Sequence, residues 1–253
     1  MNSSRAKSKD KSGQKVRIGS RLLAAAEYVA AKSADMESVI CADIGCDHGY
    51  LSIYLIEKNI CDRVFACDIN EKPVNIATEN IKRRDTRGKN LCEKISVVRC
   101  DGLDTLENKG INNVVICGMG GEVISGILER ARDFHKAGIS FILQPMSSEL
   151  ELRVWLCENG FFIKSEKLVR DSGRIYAVMC AEYTGEKYEY LPSELILGKH
   201  NIENGGELLS ELCTRKLSHA RNVLKSGKCT EFDIALEKEL TLLSEKLSKQ
   251  TQE

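Results

Sequence analysis

The chain has 253 residues, 42% of them hydrophobic and 29% charged, with a formal net charge of zero, the balance of a globular domain carrying an appendage. Its eleven cysteines include no C-x-x-C pair, which removes zinc, redox-motif and disulfide-scaffold readings, and no apolar run approaches the roughly 20 residues of a membrane span. A polar N-terminus without an apolar signal region, and cysteines such as Cys41, Cys61, Cys67, Cys117 and Cys180 set in apolar runs, predict a cytoplasmic protein with buried, reduced thiols.

Residues 1–17 are rich in serine and lysine and predict a disordered basic tail. The apolar spacing of "IGSRLLAAAEYVAAK" predicts a helix from Ile18 to about Lys32. Strands and helices then alternate. "VICADIG" (39–45) reads as a buried strand, 49–58 as a helix, 63–69 as a strand and 72–84 as a helix with Pro73 in its first turn. Residues 94–102 and 113–121 read as strands, 122–134 as a helix, 140–146 as a strand and 148–159 as a helix. Such alternation predicts βαβ units and a parallel sheet covered on both faces. After Gly160, "FFIKSEKLVRDSGRIYAVMCAEY" predicts two strands about a turn at Asp171–Gly173, an antiparallel hairpin ending the sheet. Parallel units closed by a hairpin are the α/β, Rossmann-like layout of a class I methyltransferase domain, here placed at 18–190.

From about Glu207 the pattern is purely helical. Cys213, Leu217, Ala220 and Leu224 form one stripe, and Leu236, Leu240, Leu243 and Leu247 another. With a glycine break and Thr230 as a cap between them, they predict an antiparallel coiled-coil hairpin within a unit at 191–253. Two helices bury little alone, so one face should lean on the sheet domain or on a partner. Positive charge concentrates in residues 1–20 and in "KRRDTRGK" (82–89). These clusters either attract phosphates or are solvated faces.

The loop "GCDHG" (45–49) sits where the first strand turns into a helix. A dinucleotide-binding turn would have a glycine at the position of Asp47, and a carboxylate there would repel a pyrophosphate; no G-K-[ST] follows for a P-loop. S-adenosylmethionine (SAM), with an amino acid end, a ribose and an adenine but no phosphate, suits the loop better. Asp43, Gly45 and Gly49 are expected at its amino acid portion, Asp68 with Ile69 at the ribose hydroxyls, and Asp101 with Gly102 at the adenine. Gly118, Met119 and Gly120, ending the fourth strand, are expected to let a flat ligand pack on backbone. Each aspartate could instead cap a helix or turn locally, but three at successive strand ends argue for a ligand.

These residues carry a resemblance. "SRLLAAAEYV" (20–29), "ADIGCDHGYL" (42–51), "CDGL" (100–103), "GMGG" (118–121), "LQP" (143–145) and "LRVWL" (152–156) resemble the bacterial tRNA adenine-22 N1-methyltransferases. Met146 departs from the polar residue expected after L-Q-P, and the basic N-terminal extension has no counterpart. The resemblance implies methyl transfer from SAM to N1 of adenine 22, with tRNA as partner; a monomer is expected, with neither metal nor membrane. Because the fourth strand ends in glycine and methionine, the candidate catalytic side chains move to the opening loop: Asp47 to accept the exocyclic amine, with His48 second. Asp47 reads equally well as a contact to the SAM amino group or a helix cap. Arg21, Tyr50, Gln144 and Pro145 are candidate substrate contacts. A methyltransferase of another substrate, or a non-catalytic SAM-binding module, would share the same strand-end acids.

Overall fold

Apolar runs flanked by glycine-rich turns give a seven-stranded sheet, in a computed structural model that describes residues 16–33, 36–85, 90–106 and 109–250. The strands are β1 (Ile40–Ile44), β2 (Arg63–Asp68), β3 (Ile95–Arg99), β4 (Asn113–Gly120), β5 (Ser140–Ser147), β6 (Phe161–Asp171) and β7 (Arg174–Tyr183). Their order is β3-β2-β1-β4-β5-β7-β6, with β1 to β5 parallel and the last two antiparallel. Period-two alternation sends Val114 and Ile116 into one core layer and Val115 into the other. The second layer packs under α1 (Ser20–Ser33), α2 (Tyr50–Glu57) and α3 (Glu71–Arg84). The first lies under α5 (Gly121–Arg130) and α6 (Glu149–Glu158), while the one-turn α4 (Leu91–Lys94) precedes β3.

The antiparallel hairpin ends the sheet as expected, with its second strand interior. β7 pairs with both β5 and β6, leaving β6 at the edge. The reason is composition. Ala177, Val178, Met179 and Ala181 of β7 are all buried, whereas β6 alternates with Lys164, Lys167 and Arg170. The turn uses Ser172 and Gly173 with φ of 49° and 78°, the doubly left-handed geometry that a tight hairpin favours. Val16 is buried against the second layer, so packed structure reaches into the segment read as a tail. Residues 1–15 of that tail and 86–89 of the second basic cluster lie outside the described residues.

Beyond the sheet come α7 (Pro192–Leu197), α8 (Lys199–Asn204), α9 (Glu207–Lys225) and α10 (Glu231–Gln250). The two six-residue helices, too short for a periodic signal, were not expected. The predicted hairpin is α9 with α10, cored by Leu209, Leu212, Cys213 and Leu217 against Leu236, Leu240 and Leu247. Thr230 and Asp233 cap α10 reciprocally: Thr230 Oγ1 accepts the Asp233 N–H at 3.3 Å and Asp233 Oδ2 accepts the Thr230 N–H at 2.8 Å. Leu168 and Ile175 of the β-hairpin pack into this cluster, so the helical pair leans on the sheet.

A buried ion network joins the two parts. Arg153 of α6 is 2% exposed and donates through Nη2 to Glu166 Oε2 of β6 at 2.7 Å. Its Nη1 reaches Glu149 Oε1 at 2.7 Å and the Leu195 carbonyl of α7 at 3.1 Å. Replacing Arg153 by methionine would strand the buried Glu166 carboxylate. Urea titration at pH 7 is expected to show Arg153→Met less stable by about 3–5 kcal/mol, with a far smaller loss for Glu149→Gln, whose partner keeps Glu166.

Candidate active site at the carboxyl edge of the sheet

Strand ends β1 to β5 bring the candidate residues to one edge of the parallel sheet, where open α/β sheets bind ligands. The loop after β1 is bound to the end of β2. Gly45 and Cys46 both donate backbone N–H groups to the Cys67 carbonyl, at 2.8 and 2.9 Å. Asp47 turns left-handed, with φ 49°, and its N–H faces Asp68 Oδ2 at 3.4 Å. Asp68 Oδ1 accepts the Asn70 N–H at 2.9 Å. Asp47 and His48 project outward, their side chains 68% and 44% exposed, and join through His48 Nδ1 and Asp47 Oδ2 at 2.5 Å. The His48 ring stacks on Tyr50, 4° from parallel with centroids 5.7 Å apart.

Asp43 lies beneath this loop, buried, and receives the Ser52 hydroxyl at 2.6 Å. Burial pushes its carboxyl up to about 6, partly countered by the side-chain and backbone hydrogen bonds from Ser52 and reinforced by the Asp68 charge. Ser52 stands in the first turn of α2, so Asp43 ties that helix start to β1 as a remote cap.

At the switch point between β1 and β4 the pairing of β4 with β5 is irregular around Gly118. Gly118 adopts φ 81°, and a Cβ built there would meet nothing within 4 Å, so the backbone borders open space. Gly45 is also left-handed, at φ 73°, and the Met119 Cε lies only 2.3 Å from where its Cβ would be. The Gly118 N–H donates to Gln144 Oε1 at 3.2 Å, which also accepts Arg21 Nη1 at 3.0 Å. Gln144 is fully buried, its Nε2 donating to the Pro145 carbonyl, while Met146 is 40% exposed. Arg21 is held further by Asp171 Oδ2 at 2.9 Å and by the Tyr176 face at 5.0 Å, and its hydrogen bond keeps the Asp171 carboxyl below the usual carboxylate range.

Gly102, at the turn after β3, packs on Ile127, and Gly120 opens α5. Asp101 is drawn toward Arg130 Nη2 at 3.0 Å, and exposed Ile69 offers its carbonyl to Arg99 Nε at 3.1 Å. The framework residues Asn80, Arg130, Asp171 and Tyr176 were missed in the sequence, because each acts through a partner distant in the chain and belongs to no motif; Ser52 was missed too, though Asp43 is only nine residues away. Among the described residues no cluster of three His, Cys, Asp or Glu side chains could hold a metal ion. The edge thus offers a half-buried acid at the end of β2, an acid–imidazole pair above it and open backbone at β4.

A family model for tRNA (adenine(22)-N(1))-methyltransferase matches residues 41–252. The enzyme of that description from Bacillus subtilis (strain 168) is 26% identical over 212 residues, covering 82% of this chain and 84% of the relative. The crystal structure of the B. subtilis m1A22 tRNA methyltransferase TrmK superposes with TM-score 0.72 at 26% identity, over 93% of this chain and 99% of that one. M. capricolum TrmK in complex with the cofactor product S-adenosyl-homocysteine gives 0.67 at 26% identity, over 92% and 96%. With the family match running from the first strand through α10, the chain belongs to the tRNA (adenine(22)-N(1))-methyltransferase family.

Proposed function

We propose that this chain methylates N1 of adenine 22 in tRNA, using SAM, with the 45–49 loop as its active centre. The observation that carries the reading is the exposed Asp47–His48 pair, tied through the Asp47 amide to Asp68. SAM supplies an electrophilic methyl group on a sulfonium. The residues present fit it: Asp68 is available to two ribose hydroxyls, Asp43 and the 45–49 backbone to the amino acid end, and the open face at Gly118 to a flat group. Ile69 and Met119 flank these positions, and Asp101 and Gly102 reach the adenine side, where Arg130 must share the Asp101 carboxylate.

N1 of neutral adenine carries a lone pair, so no strong base is needed to begin the displacement. As N1 is alkylated the ring becomes cationic and the exocyclic amine more acidic. Asp47 accepts a hydrogen bond from that amine, and the bond strengthens as charge develops. His48 orients the Asp47 carboxylate, and Tyr50 behind it offers an aromatic face to the base. Arg21, with Gln144 and Pro145 behind it, lies on the substrate side.

The sheet unit (18–190) holds SAM and the helical unit (191–253) serves tRNA, in a cytoplasmic monomer. Filling of the helical stripe by Leu168 and Ile175 from the same chain supports that state, and no helix among the described residues is long and apolar enough to cross a membrane.

Asp47→Asn keeps shape and loses charge, so single-turnover methylation at saturating SAM and tRNA should fall by ~10²-fold, with both affinities little changed. A full-speed variant would sink the catalytic assignment. If Asp43 faces the SAM ammonium, it must ionise on binding. Below pH about 6, where burial keeps it protonated, SAM affinity should weaken by up to about tenfold per pH unit, and calorimetry from pH 5 to 7 should find Asp43→Asn flat. Reversing exposed Lys82, Lys225 and Lys228 to glutamate should weaken tRNA binding and reduce its salt slope by about one for each phosphate no longer neutralised. SAM affinity in that variant should stay put.

A further inference from the structure

We propose that Asn80 of α3 is a positioning residue that clamps the Asp47–His48 half of the loop, an inference resting on the catalytic reading of Asp47 given above. Asn80 is a polar side chain only 6% exposed, on a helix whose other buried residues are Ala77 and Ile81. Its Nδ2 donates to the His48 carbonyl at 2.9 Å. On its other side, Oδ1 accepts Arg83 Nη2 at 2.7 Å, and this charged donor fixes which way the amide faces. One turn earlier, Ala77 Cβ lies 3.2 Å from where a Cβ of Gly49 would be, so α3 abuts the loop at two successive residues.

The loop is therefore held in two halves by different elements. Its first half, Gly45 and Cys46, is bound to the Cys67 carbonyl of β2. Its second half is bound to Asp68 through the Asp47 N–H and to α3 through the His48 carbonyl. A non-glycine residue at positive φ persists where its surroundings over-determine it; around Asp47 the Gly49 N–H closes the turn on the Cys46 carbonyl at 2.7 Å, Asp68 faces the Asp47 N–H, and Asn80 holds the His48 carbonyl from outside the loop. Loss of the Asn80 donor frees the His48–Gly49 peptide, and with it the backbone from which the His48 ring projects, while leaving the first half of the loop anchored. The expected consequence falls on chemistry rather than on SAM binding, because misplacing a reacting group by about 1 Å can cost ~10²-fold.

Asn80→Asp is the discriminating variant: it keeps size and the Arg83 acceptor but turns a carboxylate oxygen toward the His48 carbonyl. Single-turnover methylation at saturating SAM and tRNA should fall about tenfold to a hundredfold, with SAM affinity by calorimetry unchanged. In the free protein, the labelled His48 ring signals in NMR spectra should shift or broaden. Arg83→Gln, at an exposed position, removes the donor that orients the amide and should move rate and signals the same way to a smaller extent, which keeps the test open if the buried variant does not fold. A rate restored by saturating SAM would make Asn80 part of cofactor binding and overturn the clamp. So would His48 signals and rates equal to wild type. The NMR readout needs no chemistry: His48 signals that move in Asn80→Asp while Asp47→Asn turns over at full speed would uphold the clamp and overturn only the catalytic reading.

Discussion

The whole carboxyl edge depends on how the end of β2 receives hydrogen bonds from the loop after β1. One carbonyl, that of Cys67, takes two loop amides, and the next residue's carboxylate faces a third. Backbone donors left unpaired near a protein interior are costly, so this loop cannot shift without β2. Asp68 therefore stands at a junction: one oxygen faces the loop, the other holds the Asn70 amide, and the pair remains open to the cleft. A ligand that engaged Asp68 Oδ2 would touch the atom that faces the Asp47 amide, and would so be coupled to the loop through that carboxylate.

The second constraint lies away from the cleft. Arg153 draws α6, β6 and α7 together around one buried guanidinium, and Arg170 pairs with Glu211 where α9 crosses the same hairpin. Breaking the buried Arg153–Glu166 pair strands a charge, whereas the Arg170–Glu211 pair is about 40% exposed and adds little to the packing of Leu168 and Ile175 that sets the helical unit against the sheet. A tRNA held by that unit would meet the edge at one fixed angle.

Much of the sheet was legible because its strands are apolar on both sides and its helices change period at glycines. The acids at 43, 68 and 101 stood out because each lies in or just after an apolar run, near a strand's carboxyl end. What they touch did not. Asp43 is a buried helix anchor as well as a strand-end acid, and Asp101 is shared with Arg130, 29 residues away. Gln144 reads as a polar residue in a strand, and only the fold reveals that its oxygen is filled by Gly118 and Arg21. Asn80 belongs to no motif, and its burial follows from where the first loop comes to rest. The sequence leaves open the order within the closing hairpin, because that order depends on which strand has more apolar surface to cover, and a hairpin pattern says only that the two are neighbours.

Placing β7 inside leaves β6 as the sheet's rim, with a row of backbone groups on one side and no strand to meet them. Such a rim is a template for pairing with other chains. Here His200 of α8 reaches the Ile163 carbonyl at 3.0 Å, and α8 and α9 lie along the same strand. His200 follows the Ile163 it contacts by 37 residues in the chain. During synthesis, then, the sheet can finish its last pairing while its rim is still bare, and the nascent protein is open to aggregation until α8 has left the ribosome. The helical unit thereby doubles as a guard against aggregation, whatever it later does with RNA.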